Sequence, residues 1–207
     1  MALLIALIAI VPLDARSAST ASLDLLRRAA DPNPGLKSYT ASAQLSATLH
    51  VLLPMHRTFD GTVYYLKPNR KIEFQNVTGQ LARFKDLATS TPSFSKLNND
   101  YTVTALGDTG TISTYSLVPK NTGSRVKSIG VTVGDASALI QHVQWNYTNG
   151  GTLQLTDYYA EVGTFQLPMK SDISARFPGY SVDGTLSFSN YKPNVTVSPA
   201  VFASPKA

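Results

Sequence analysis

Residues 58–74 read T-F-D-G-T-V-Y-Y-L-K-P-N-R-K-I-E-F. In an extended chain Phe59, Gly61, Val63 and Tyr65 share one face. A Lys-Pro-Asn-Arg turn then folds the chain back into Ile72 and Phe74, which predicts a β-hairpin. The second face carries Tyr64 and Leu66, so it is not polar either. Both sides of this sheet need shielding from water, and the cover is either the protein's own core or a guest molecule.

Upstream lies the cleanest alternation in the chain. Ala41, Ala43, Leu45, Ala47, Leu49 and Val51 fall on one side, and Thr40, Ser42, Gln44, Ser46, Thr48 and His50 on the other. One strand of this length runs roughly 40 Å, which suits a single large curved sheet better than a small sandwich. Before it, Ser22 reads as an N-cap for a short helix with Leu23, Leu25, Leu26 and Ala29 on its apolar stripe. Asp31-Pro-Asn-Pro-Gly35 stops that helix. The apolar run at positions 2–13, followed by small residues, reads as an export leader over residues 1–20, cleaved near 17–21 and leaving one domain over 22–203, with a membrane anchor or a buried N-terminal helix as the alternatives.

Downstream of Phe74 the period changes. Leu81, Phe84, Leu87 and Ala88 recur at helical spacing, so residues 79–97 are expected to form one or two short helices. A core helix and a movable lid carry the same stripe, and both readings stay open. From Tyr101 the chain returns to short strands, at 101–105, 111–118, 126–133, 139–147, 153–159, 164–167, 173–177 and 182–191. Asn149-Gly150-Gly151 is the strongest turn signal between them. Ten or eleven strands in an antiparallel meander are near the limit for one open sheet, so it is expected to curl into a partial barrel.

Charged residues make up 15% of the chain, and the net charge of +5 reflects a shortage of glutamate, with only Glu73 and Glu161 present. This is scattered charge and not the basic, aromatic-interleaved stripe of a nucleic-acid binder. The absence of cysteine removes disulfides, thiolate metal clusters, a thiol nucleophile and a lipid-modified N-terminus. His50, His56 and His142 lack partners at ligand spacing, no G-x-S-x-G elbow occurs, and no phosphate loop opens a helix. Asp60, Glu73, Asp157, Glu161, Asp172 and Asp183 form no pair that spacing singles out, and turn or surface roles suffice for them. The sequence thus predicts neither an enzyme nor a metal or cofactor site. It leaves an apolar interior larger than a hairpin needs. Apolar burial at roughly 25 cal/mol per Å² would let such an interior hold an acyl chain without directional contacts.

The succession S-L-D-L-L-R-R-A-A-D, L-K-S-Y-T-A-S-A-Q-L and G-T-V-Y-Y-L-K-P-N-R-K-I-E-F resembles the opening of the LolA-like periplasmic lipoprotein carriers. Y-S-L-V-P-K, V-T-V-G-D, H-V-Q-W-N-Y-T-N-G-G-T-L-Q-L-T-D-Y, F-Q-L-P-M-K and Y-K-P-N-V-T-V-S-P-A-V-F are similar in order to that family's second half. The resemblance implies a mainly β fold, a half-open antiparallel barrel with short helices over its concave face and a cavity for acyl chains. It implies a soluble, monomeric periplasmic carrier of lipoprotein or lipid acyl chains, with inner- and outer-membrane transfer proteins as partners. An envelope-stress sensor on the same fold is the alternative. Leu45, Leu49, Val63, Tyr65, Phe84, Trp145, Tyr147, Leu153 and Leu155 are the expected wall residues. Lys67 occupies the position of the family's lid-closing arginine, as a point donor in place of a planar fork.

Overall fold

The structure is a computed structural model that describes residues 20–51, 53–75 and 97–203. The expected leader, and with it most of the expected helical segment at 79–97, lies outside these residues.

Helix α1 (Thr20–Ala30) is followed by β1 (Ser38–His50), β2 (Met55–Leu66) and β3 (Asn69–Phe74). A single helical turn, α2 (Leu97–Asp100), then leads into β4 (Tyr101–Asp108), β5 (Ile112–Pro119), β6 (Val126–Gly134) and β7 (Leu139–Tyr147). The chain ends on β8 (Thr152–Val162), β9 (Phe165–Phe177), β10 (Tyr180–Pro193) and a 3-10 turn at Pro199–Phe202. The ten strands of the described residues form one antiparallel sheet in the order β3-β2-β1-β10-β9-β8-β7-β6-β5-β4. The meander from β4 to β10 is as expected, but β10 then pairs with β1, which sets the first hairpin beside the last strand. The edges are β3 and β4, so the sheet is not closed.

Local boundaries differ from the sequence reading in ways that have simple causes. Helix α1 begins at Thr20, so Ser22 lies inside it and is not its cap. The turn between β2 and β3 is tighter than four residues, because Leu66 already pairs with Asn69 and Arg70 with Tyr65. The two strands expected at 164–167 and 173–177 are one strand, β9, in which a bulge opposite Tyr158 and Tyr159 absorbs the Pro168 interruption. Strand β1 ends at His50, which leaves Val51 exposed in the bend and outside the apolar row.

Alternation along β1 buries Tyr39, Ala41, Ala43, Leu45 and Leu49 on the inner face. Leu25, Leu26 and Ala29 of α1 pack onto that face, with the helix seated on β6 and β7. Across the first hairpin Gly61 stands opposite Phe74. A Cβ there would lie 2.6 Å from the Glu73 carbonyl oxygen and 2.8 Å from the Phe74 ring. Because the first obstacle is backbone, Gly61→Ala is expected to cost about 1–3 kcal/mol, read as a lower midpoint in urea unfolding.

Candidate functional site

The register of the sheet places apolar side chains in rows that run across many strands. One row is Leu117, Ile129, Trp145, Leu153, Ala175, Val182 and Leu49, from β5 to β1, each buried. Beside it runs Tyr115, Val131, Val143, Leu155, Ile173, Gly184 and Ala47. Helix α1 covers part of this surface, within one apolar cluster. A second cluster, built on Tyr39, Leu45, Val63, Ile72, Leu186 and Phe188, occupies the other end of the inner face. Ala47 and Ile173 pack against both, so the apolar lining is continuous from end to end.

The expected wall residues divide between these clusters. Leu45 and Val63 belong to the second, with Tyr65 packed against it. Leu49, Trp145 and Leu153 belong to the first, with Tyr147 and Leu155 packed against it. Phe84 lies outside the described residues. The rim is aromatic: Tyr147 meets Phe177 at 5.2 Å between ring centroids, Phe177 stacks on Tyr180 at 5.3 Å, and Tyr39 stacks on Tyr65 at 5.0 Å.

Lys67 stands at the end of β2, and its Nζ donates to Asp31 Oδ2 at 2.5 Å. This ties the hairpin turn to the loop that follows α1. Both side chains are substantially exposed, at 38% and 43%, so the pair contributes about 0–1 kcal/mol. Asn33 fastens the same loop to β9: its Nδ2 donates to the Gln166 carbonyl at 2.8 Å and its Oδ1 accepts from the Gln166 amide at 2.9 Å.

A third row, Phe59, Leu45, Leu186, Ser171 and Asp157, starts apolar and ends on a carboxylate. Asp157 is therefore an inner-face residue and not the surface or turn residue its spacing implied. Ser171 Oγ donates to Asp157 Oδ1 at 2.5 Å. Burial pushes the Asp157 carboxyl above its ordinary range, against the pull of the Ser171 hydrogen bond and of the nearby Arg70 guanidinium. Burial likewise raises the phenols of Tyr159 and Tyr191, which donate to the carbonyls of Ile140 at 2.8 Å and Pro168 at 2.5 Å. Arg70 lies with its guanidinium carbon 5.0 Å from the centroid of the Phe188 ring. The sequence does carry a signal for this cluster. Arg70 has the parity of Ile72 and Phe74, and Asp157 that of Leu153 and Leu155, so each is a charge on an apolar face.

Folding raises the Asp157 pKa above its unfolded value of about 3.9. The folded state holds that proton more tightly, so stability falls as pH rises from about 4 through the folded pKa. Asp157→Asn keeps an acceptor for Ser171 and cannot ionise. It is expected to raise the melting temperature at pH 7, with the gain vanishing toward pH 4 in parallel thermal melts.

On the outer face the alternate residues are polar. They surround a depression of about 470 Å³ lined by Ser46, Thr48, His56, Gln154, Thr156, Asp172, Ser174, Asp183 and Thr185, among others. His56 contacts Thr48 through Nδ1 at 3.1 Å, His142 contacts Thr156 at 3.0 Å, and His50 pairs with Asp183 at 3.2 Å. These contacts lie on the polar face of the sheet. Among the described residues no group of three or more His, Asp or Glu side chains is arranged to hold a metal ion. No helix among them is long and apolar enough to cross a membrane.

Solved structures share this fold. A domain described as outer-membrane lipoprotein-sorting, from Vibrio parahaemolyticus, superposes with a TM-score of 0.59 at 11% identity, covering 87% of this chain and 95% of its own. A LolA superfamily protein from Nitrosomonas europaea gives 0.53 at 10% identity, covering 91% and 98%. The fold is LolA-like. A DUF1329 family protein from Desulfovibrio piger ATCC 29098 has the same LolA-like sheet, with a TM-score of 0.59 at 12% identity over 90% and 98% of the two chains. No family model and no curated protein matches the sequence. It is the LolA-like architecture, carried by strand pairing and not by residue identity, that these proteins have in common.

Proposed function

We propose that this protein is a non-enzymatic carrier that holds acyl chains of a lipoprotein or lipid on the inner face of its LolA-like sheet and moves them between membranes. The observation that carries this reading is the continuous apolar lining. It crosses the sheet from β5 to β1, extends into the second cluster, and ends in a partly exposed aromatic rim at Tyr65, Tyr147, Phe177 and Tyr180. A lining of this kind gains free energy by excluding water from any flexible apolar chain, with no requirement for directional groups. The closing role falls to Lys67, whose exposed pair with Asp31 is a weak and readily broken tie. The carrier works in the periplasm after removal of residues 1–20, handing its cargo between inner- and outer-membrane transfer proteins.

Trp145 is the only tryptophan in the chain and lies within the apolar row that runs from β5 to β1, flanked by Ile129 and Leu153. A dibrominated stearic acid is therefore expected to quench its emission saturably, with one ligand retained per protein in native mass spectrometry after detergent-free purification. Unquenched emission together with an empty protein would falsify the carrier reading.

A further inference from the structure

This inference rests on the carrier reading and names the head group of its ligand. Arg70 starts on the edge strand β3, yet its guanidinium lies over the ring of Phe188 on β10. Three strand spacings, about 14 Å on a flat sheet, separate those strands, so the side chain reaches over the inner face while the residue stays partly exposed. Its Nε is sealed from solvent without an acceptor. Arg70 is partly buried, and an aromatic face beneath the guanidinium does not replace an in-plane acceptor, so the sealed Nε is the atom left at a cost.

The surrounding groups do not satisfy it. Asp157 feels the guanidinium but is not ion-paired with it, and spends one oxygen on Ser171. Tyr159 and Tyr191 donate to backbone carbonyls, Tyr159 also hydrogen-bonds with the Asp157 carboxyl, and neither accepts from the Arg70 Nε. Arg70 is thus a planar fork of strong donors at one end of an apolar surface, beside a carboxyl whose burial favours the neutral form. A planar, singly charged acceptor on the end of an apolar chain fits that position, since two parallel N–H···O bonds match carboxylate geometry.

We infer that Arg70 anchors the carboxylate of a long-chain fatty acid whose tail lies along the apolar rows of the inner face. The anchor distinguishes a free acid from a neutral lipid of the same length.

The test compares hexadecanoate with hexadecanol by displacement of an uncharged naphthylamine probe. The wild-type protein is expected to bind the acid roughly tenfold or more tightly than the alcohol, as a charge-assisted pair requires. Arg70→Met is expected to abolish that preference and leave the alcohol unchanged. Arg70→Lys, which keeps the charge and loses the fork, is expected to retain part of it. Equal affinities in the wild type, or a preference that survives Arg70→Met, overturn the anchor and leave the carrier reading standing. Binding of neither compound overturns both. The wild-type comparison needs no variant to fold.

Discussion

Trp145→Ala is expected to cost about 3–5 kcal/mol, the range for truncating a large buried aromatic. Trp145 pairs with Ile129 on β6 and Leu153 on β8, both buried, so the side chain is enclosed laterally by two strands that cannot collapse inward without breaking register. The hole therefore persists, and its lining loses contacts with no compensation. For a domain of this size the melting temperature should fall by roughly 6–20 °C. The variant has no tryptophan left, so the melt is followed by circular dichroism. A fall of only a degree or two would mean that the inner face repacks freely, and the apolar rows would then be far softer than their burial implies.

Leu26→Ala should act differently, although its direct cost is of similar order, about 2–5 kcal/mol. Leu26 is 1% exposed, and α1 meets the sheet chiefly through it, Leu25 and Ala29 on β6 and β7. An eleven-residue helix without such packing is marginal in water. The loss should thus appear first as local release of α1, with the sheet ladders intact. Hydrogen exchange is expected to accelerate across α1 by roughly 30-fold or more while amides in β6 through β10 keep their protection. Uniform acceleration throughout the sheet would show that α1 and the strands unfold as one unit.

Much of the fold is legible from short-range pattern. The alternation from Thr40 to His50 and the strands at Val126 and Leu139 appear where their periodicity places them, because a strand's period of two depends only on adjacent residues. The Asp31-Pro-Asn-Pro-Gly35 stop is likewise local, and α1 ends at Ala30. Trp145, Leu153 and Leu49 are buried for the same reason, as apolar positions on alternating strands. Where the reading missed, a neighbour in space had overruled a neighbour in sequence. Pro168 does not interrupt β9, because a bulge against Tyr158 and Tyr159 absorbs it.

The amino-acid sequence by itself determined that this protein is a curled antiparallel sheet with an apolar face and a short N-terminal helix. These features arise from side-chain alternation and turn chemistry, each settled within a few residues. Only the tertiary structure decided that β1 lies beside β10, that β3 and β4 are the edges, and that Arg70 and Asp157 face the same trough. Those relations depend on strand pairing across more than a hundred residues and on the curl of the whole sheet. No local periodicity encodes which distant strand will supply the partner for a charge on an apolar face.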